Sequence, residues 1–214
     1  MERVICLVIG YVFGLFQTGY IYGRMNNIDI RKHGSGNAGS TNALRTMGVK
    51  AGAITLLGDC FKCIAAVLVV RGIYAGSHAA ILPLLSLYAG FGAVLGHNYP
   101  FYLGFKGGKG IAATGGMILA TDLRMAALCL IVFVVIVAVT RYVSLASLTV
   151  TVLFVVELVI AGQLGEFAMS QAHLFEMYGI GVLFMASAFF QHRANIKRLR
   201  EGTENKIGSK KKEK

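Results

Sequence analysis

Apolar stretches recur down almost the whole of this chain, at about 3–23, 52–71, 79–96, 108–121, 125–140, 143–162 and 174–191, and that recurrence leaves it one environment in which to fold. Where water cannot reach the backbone, each N–H and C=O must be satisfied within its own segment, so stretches of this length cross a bilayer as helices. Composition agrees. Of 214 residues, 56% are hydrophobic and 14% charged, with a mean hydropathy of +0.65. The 27 glycines suit helices that approach closely in lipid. The expected fold is therefore an all-α integral membrane protein with seven transmembrane helices, some short or broken. The fourth stretch, "IAATGGMILATD", is short and glycine-containing, and reads as a tilted span, a broken helix or a re-entrant segment. One polytopic domain is expected over 1–200, followed by a basic tail over 201–214 whose final "KKKEK" is solvated. The first apolar run is about twenty residues long with no small-x-small cleavage site after it, so it reads as a retained span rather than a signal peptide.

The net charge of +11 is explained by sidedness rather than by nucleic acid. With seven crossings and the amino terminus outside, seventeen of the 21 lysines and arginines fall on the cytoplasmic side, and only Arg3, Arg71 and Arg124 fall outside. The acidic stretch "GQLGEFAMSQAHLFE" falls outside with them. This orientation makes the carboxyl terminus cytoplasmic and opens every polar loop on that one face. Cys6, Cys60, Cys63 and Cys129 all lie inside apolar runs, and "CFKC" lacks a second pair of ligands, so neither a disulfide framework nor a zinc site is expected.

Three polar segments interrupt this pattern. Residues 33–45, "HGSGNAGSTNALR", combine glycines that let successive backbone N–H groups turn inward as a nest with hydroxyls and an arginine able to grip phosphate. Residues 96–116, "GHNYPFYLGFKGGKGIAATGG", put Lys106 and Lys109 around two glycines just before an apolar helix, an anion-binding arrangement. It fails as a nucleotide-binding Walker loop, because Leu103 stands where glycine is needed and Gly110 where serine or threonine is needed. Residues 192–204, "HRANIKRLREGTE", bring His192 and Asn195 to one helical face, while Arg193, Lys197 and Arg200 read as headgroup anchors. Asp59 and Lys62, three apart in the second apolar run, are a structural ion pair or a catalytic one. Ser144 and Ser147 open the sixth span, and Glu157, deeper in it, has no assigned role. No His-x-x-x-x-Asp pair of the kind used by one large class of glycerolipid acyltransferases is present.

In this order and spacing, the three segments resemble the bacterial acyl-phosphate-dependent glycerol-3-phosphate acyltransferases, the PlsY family, over nearly the whole chain and including "RYVSLAS" at 141–147. The resemblance implies transfer of a fatty acyl group from acyl phosphate to the sn-1 hydroxyl of glycerol 3-phosphate, giving lysophosphatidate and phosphate, the first step of phospholipid assembly. It implies no cofactor and no metal, membrane lipids as surroundings, and a functional link to an enzyme that forms acyl phosphate. It places the protein in the bacterial cell membrane with its active site on the cytoplasmic side. Carried over, Ser35, Gly36, Asn37, Thr41 and Asn42 line an acyl-phosphate nest, and Gly107, Gly108 and Lys109 close over a phosphate. Arg45, Lys109, Ser144, His192 and Asn195 are expected to hold glycerol 3-phosphate, with His97 and Glu204 buttressing the loops. The catalytic set is Ser35, Arg45, Lys109, His192 and Asn195. The hydroxyl proton passes either to a substrate phosphate oxygen or to His192. A transporter of phosphate compounds is the competing class, but no second copy of "GSGNAGSTN" marks a repeated half.

Overall fold

The computed structural model describes residues 1–208; "KKKEK" and Ser209 before it lie outside the described residues. Among the described residues the α-helices are α1 (Glu2–Gly14), α2 (Thr18–Met25), α3 (Ser40–Tyr74), α4 (Leu82–Asn98), α5 (Ile111–Thr121), α6 (Leu123–Thr140), α7 (Val143–Gln163), α8 (Gln171–Gln191) and α9 (Arg193–Arg200). Within the described residues, six segments are long and apolar enough to cross a membrane: Glu2–Met25, Ser40–Tyr74, Ala79–Leu103, Leu123–Thr140, Val143–Gln163 and Gln171–Gln191. The expected fourth span falls short. α5 has 11 residues, roughly 16 Å at 1.5 Å per residue, against a hydrocarbon core about 30 Å thick. Gly110, in the left-handed region at φ 80°, opens it. Asp122 separates it from α6, whose first amides it caps through Arg124 N at 2.7 Å and Met125 N at 3.2 Å.

The first span is not continuous either. Its helix breaks between Gly14 and Thr18, and the carbonyls freed there are taken up by side chains inside the protein. Gln17 Nε2 donates to Gly14 O at 3.1 Å and to His97 O at 3.1 Å. Lys62, from α3, donates to Phe16 O at 2.6 Å and Gly14 O at 3.3 Å. Its ammonium also lies 2.9 Å from Asp59 Oδ1, so the pair has a structural partner set. α3 differs in another way: it begins at Ser40, inside the segment read as a loop, and kinks at Gly48, whose φ is 86°.

α1 packs on α4 through backbone contact, and a methyl group on Gly96 would strike the Tyr11 carbonyl. Leu84, Leu87, Met117, Phe154, Met177 and Phe184 form the main core between α4, α5, α7 and α8. α6 buries only Met125 and Cys129, and turns the rest of its apolar surface outward. At one end of the bundle Glu2 meets His78 at 3.9 Å, Arg3 pairs with Glu176, Arg124 with Glu166, and Arg71 donates to Ala120 O at 2.6 Å. The polar segments named above meet at the opposite end.

Candidate active site

A cavity of about 450 Å³ opens at that end, and two helix starts point into it. Gly39, Ser40 and Thr41 of the α3 start line it, as do Lys109, Gly110, Ile111 and Ala112 at the α5 start. The first amides of a helix have no partner within it, and the aligned peptide dipoles place partial positive charge there, so this is a receptor for anions. Arg45, one turn after Thr41 on α3, adds a guanidinium to the wall.

The segment before α3 is built differently from the expected nest. Its own amides are used inside the loop: Ser35 N donates to Asn42 Oδ1 at 2.8 Å, Gly36 N to His33 O at 2.9 Å and Gly39 N to Asn37 Oδ1 at 2.9 Å. Asn42 is the internal brace. It is 2% exposed, and its Nδ2 reaches Ile30 O at 3.1 Å, His33 O at 3.0 Å and Asn37 O at 2.8 Å. Its amide nitrogen is therefore engaged inside the loop. Ser35, Asn37, Thr41 and Asn42 all line the cavity. Gly36, at φ 72°, supplies the turn and is not a wall residue.

The second loop departs from expectation in the same way. Gly107 N donates to Asn98 O at 3.1 Å and Gly108 N to His97 O at 3.0 Å, so neither amide is available to a phosphate. Both glycines lie flat on α4: side chains there would strike the His97 carbonyl and ring. They hold the loop down so that Lys109 points into the cavity, while Lys106 is exposed and outside its walls. Burial pushes the Lys109 ammonium down to about 8, with Arg198 and Arg45 nearby adding to the effect and Glu204 opposing it. His97 is 2% exposed, and Lys62 Nζ lies 2.7 Å from its Nδ1. Asp59 Oδ1 lies 3.5 Å from the same nitrogen, and Nε2 lies beside Gly108.

The third segment closes the site. His192 sits at the bend between α8 and α9, 3% exposed. Its Nδ1 donates to Ala188 O at 2.8 Å, which leaves the Nε2 lone pair as an acceptor. Burial, reinforced by the Lys109 charge, pushes the imidazole down to about 4, so it is neutral at ordinary pH. Asn195 Oδ1 accepts from Lys109, and Asn195 Nδ2 donates to Glu204 Oε1 at 2.7 Å. Glu204 also accepts from Ser144 Oγ at 3.1 Å and from Arg198 Nε at 2.7 Å. Arg198, Ser40 and Thr151 are cavity residues the sequence reading missed, although Arg198 stands three residues after Asn195 on the same helical face.

From the polar mouth the cavity continues as an apolar groove between α3, α5, α6 and α7, lined by Leu57, Ile118, Leu119, Cys129, Leu130 and Phe133. Leu57, Leu119 and Leu130 are exposed, so the groove opens sideways toward lipid. Glu157 lies against its wall, accepting from Cys129 Sγ at 3.2 Å. Among the described residues, no three His, Cys, Asp or Glu side chains are grouped so as to hold a metal ion.

A model of the glycerol-3-phosphate acyltransferase family matches residues 4–202. A glycerol-3-phosphate acyltransferase of Clostridioides difficile is 42% identical over 97% of this chain and 97% of its own length. That of Alkaliphilus metalliredigens is 42% identical over 98% of each, and that of Geobacter sulfurreducens is 37% identical over 97% and 98%. Two crystal structures of PlsY superpose on the fold. One is the glycerol 3-phosphate form, at a TM-score of 0.83 with 31% identity. The other is the lysophosphatidic acid form, at 0.81 with 30% identity. Each match covers 97% of this chain and 96% of the solved one. With the polar mouth, the lipid-facing groove and these relatives together, the chain belongs to the glycerol-3-phosphate acyltransferases of the PlsY family, integral membrane enzymes of phospholipid synthesis.

Proposed function

We propose that the protein transfers a fatty acyl group from acyl phosphate to the sn-1 hydroxyl of glycerol 3-phosphate, releasing phosphate and lysophosphatidate. The observation that carries the donor assignment is the continuity of an anion-receiving mouth with an apolar groove open to lipid. An acyl phosphate has that shape, a dianion on an alkyl chain. In this reading the chain lies along Leu57, Ile118 and Phe133, and the donor phosphate rests at the α3 and α5 starts with Ser35, Asn37, Thr41 and Lys109. Glycerol 3-phosphate is held beside it by Arg45, Lys109, Ser144, His192 and Asn195. Gly36, Asn42, Gly107, Gly108, His97 and Glu204 shape those walls.

The hydroxyl oxygen attacks the acyl carbon, the bond from that carbon to the phosphate oxygen breaks, and phosphate leaves with the electron pair. Positioning and neutralisation of the leaving charge supply most of the acceleration. His192 Nε2 accepts a hydrogen bond from the attacking hydroxyl and orients it. An imidazole held near 4 is too weak a base to keep the proton at neutrality, so a phosphate oxygen takes it. No metal or other cofactor enters this scheme, and an acyl-phosphate-forming enzyme must supply the donor.

The site end of the molecule is assigned to the cytoplasm of a bacterial cell membrane, with seven crossings. In support of the seventh, Lys109 before α5 lies at the site while Ala120 near its end meets Arg71 at the other end of α3. The catalytic unit is taken through Ile207 rather than ending at 200, since Glu204 belongs to the cavity wall. The test is turnover of palmitoyl phosphate and glycerol 3-phosphate by purified protein in chelator, with palmitoyl-CoA as parallel donor. Product is expected from acyl phosphate alone. Ser35→Ala and Lys109→Ala, still folded, should be slower by about ten- to a hundredfold for each hydrogen bond to a charged phosphate that the substitution removes. Equal turnover of palmitoyl-CoA, or a requirement for metal, would overturn the donor assignment.

A further inference from the structure

Glu204 reaches the cavity from a segment with no helix or strand of its own. After α9 the chain turns at Gly202, whose φ is 68°, and residues 203–207 run back across the α6–α7 turn. Thr203 N donates to Arg198 O at 2.8 Å, which fixes only the near side of Glu204. On the far side Arg141 grips Ile207. Ile207 N donates to Arg141 O at 2.9 Å, while Arg141 Nε and Nη2 donate back to Ile207 O at 3.1 and 2.7 Å. Next to it the Lys206 ammonium lies 5.4 Å from the centre of the Tyr142 ring. Arg141 does this from a left-handed conformation, φ 62°, at a turn where glycine is the ordinary residue. The backbone conformation there is disfavoured for an arginine, yet its carbonyl and its guanidinium both address the same residue of the returning segment.

We infer that Arg141 is a positioning residue for the acceptor side of the site: by gripping Ile207 through both backbone and side chain it seats Glu204 against Ser144, Asn195 and Arg198. A carboxylate among cations is well placed only while its tether is short. If the 203–207 segment lifts, Asn195 loses the acceptor for its Nδ2 and Arg198 its partner, and the groups assigned to glycerol 3-phosphate lose their order together. The donor side rests on α3 and α5 and meets this network at Lys109, whose ammonium donates to Asn195. The inference rests on the acceptor-site reading above.

The experiment measures KM for each substrate in Arg141→Ala, Arg141→Lys and Arg141→Gly. Removal of the two guanidinium bonds is expected to raise KM for glycerol 3-phosphate about tenfold in Arg141→Ala, with KM for palmitoyl phosphate within about twofold of the parent. Arg141→Lys, which can return one bond, recovers part of the defect. Arg141→Gly is the deciding variant. Glycine suits the turn, so a residue needed only for the turn would be replaced by it without defect, whereas the grip on Ile207 would be gone. Arg141→Ala should also add little in a Glu204→Gln background. Parental KM for glycerol 3-phosphate in Arg141→Gly overturns the inference. Ser144→Ala and Asn195→Ala separate the two levels: if they raise that KM and the Arg141 variants do not, the acceptor reading stands and the inference fails. If they leave it unchanged, the acceptor reading itself fails.

Discussion

Lys109 is charged enough to hold phosphate at neutral pH and buried enough to lose that charge within the working range of an enzyme. Burial pushes it down to about 8. The ammonium is present below that value and lost above it, so kcat/KM, which reports the free enzyme, should fall by up to tenfold per pH unit above about 8. The substrate phosphates have finished titrating near 6 and do not contribute there. Lys109→Arg separates charge from geometry, because a guanidinium stays protonated throughout. Its activity should be lower at pH 7 and flat to pH 9; an unchanged alkaline fall in that variant would place the titrating group elsewhere. Side chains such as Lys109, Arg45 and Thr41 were legible in the sequence, since a charge or hydroxyl at helical spacing beside glycines has few other uses. The backbone was not. Whether the Ser35 or Gly108 amide faces a ligand depends on which carbonyl or side chain it meets in the fold. Ser35 N is taken by Asn42, which also reaches back twelve residues to Ile30 O, and Gly108 N by the end of α4.

Apolar length alone locates a helix wherever the segment is long enough to cross without interruption, as α6, α7 and α8 are. It fails where a side chain from another helix substitutes for the missing helical bond. Nothing in "GLFQT" announces a break, because the ammonium that satisfies Phe16 O and Gly14 O comes from Lys62, more than forty residues later. The same physics makes the break a point of vulnerability. Lys62→Met would leave those two carbonyls without this donor and strip Asp59, 1% exposed, of a cation at 2.9 Å. Breaking a buried pair from one side costs about 3–5 kcal/mol. The expected outcome is a marked fall in unfolding temperature in detergent, larger than that of Lys197→Met at the exposed pair with Glu201. Equal stability of the two variants would mean that the carbonyls at the break do not depend on Lys62.

Charge is distributed between the two ends of the bundle as unevenly as between its loops. Arg24, Arg31, Lys32, Arg45, Lys50, Lys106, Lys109, Arg141 and the α9 cations belong to the cavity end, while Arg3, Arg71 and Arg124 belong to the other. At that other end the three arginines are engaged by Glu176, Ala120 O, Asp122 and Glu166 rather than free to meet anionic lipid. The bias that orients a chain during insertion therefore supports the proposed cytoplasmic cavity, and glycerol 3-phosphate is a charged compound that does not cross lipid unaided. The proposed seventh crossing depends on the 11 residues of α5 together with the loop before them. Single cysteines at Lys106, exposed beside the cavity, and Ser77, exposed at the far end, read the two faces directly over a background lacking the four native cysteines. In intact spheroplasts a membrane-impermeant maleimide should label Ser77→Cys at once and Lys106→Cys only after lysis. The reverse pattern would invert the molecule. Labelling of both before lysis would mean that α4, the segment between them, does not cross. Arg124→Cys, exposed just after α5, reads α5 itself: labelling before lysis is expected with seven crossings, and labelling only after lysis would mean that the chain between Asn98 and Thr121 returns to the face it left, leaving six.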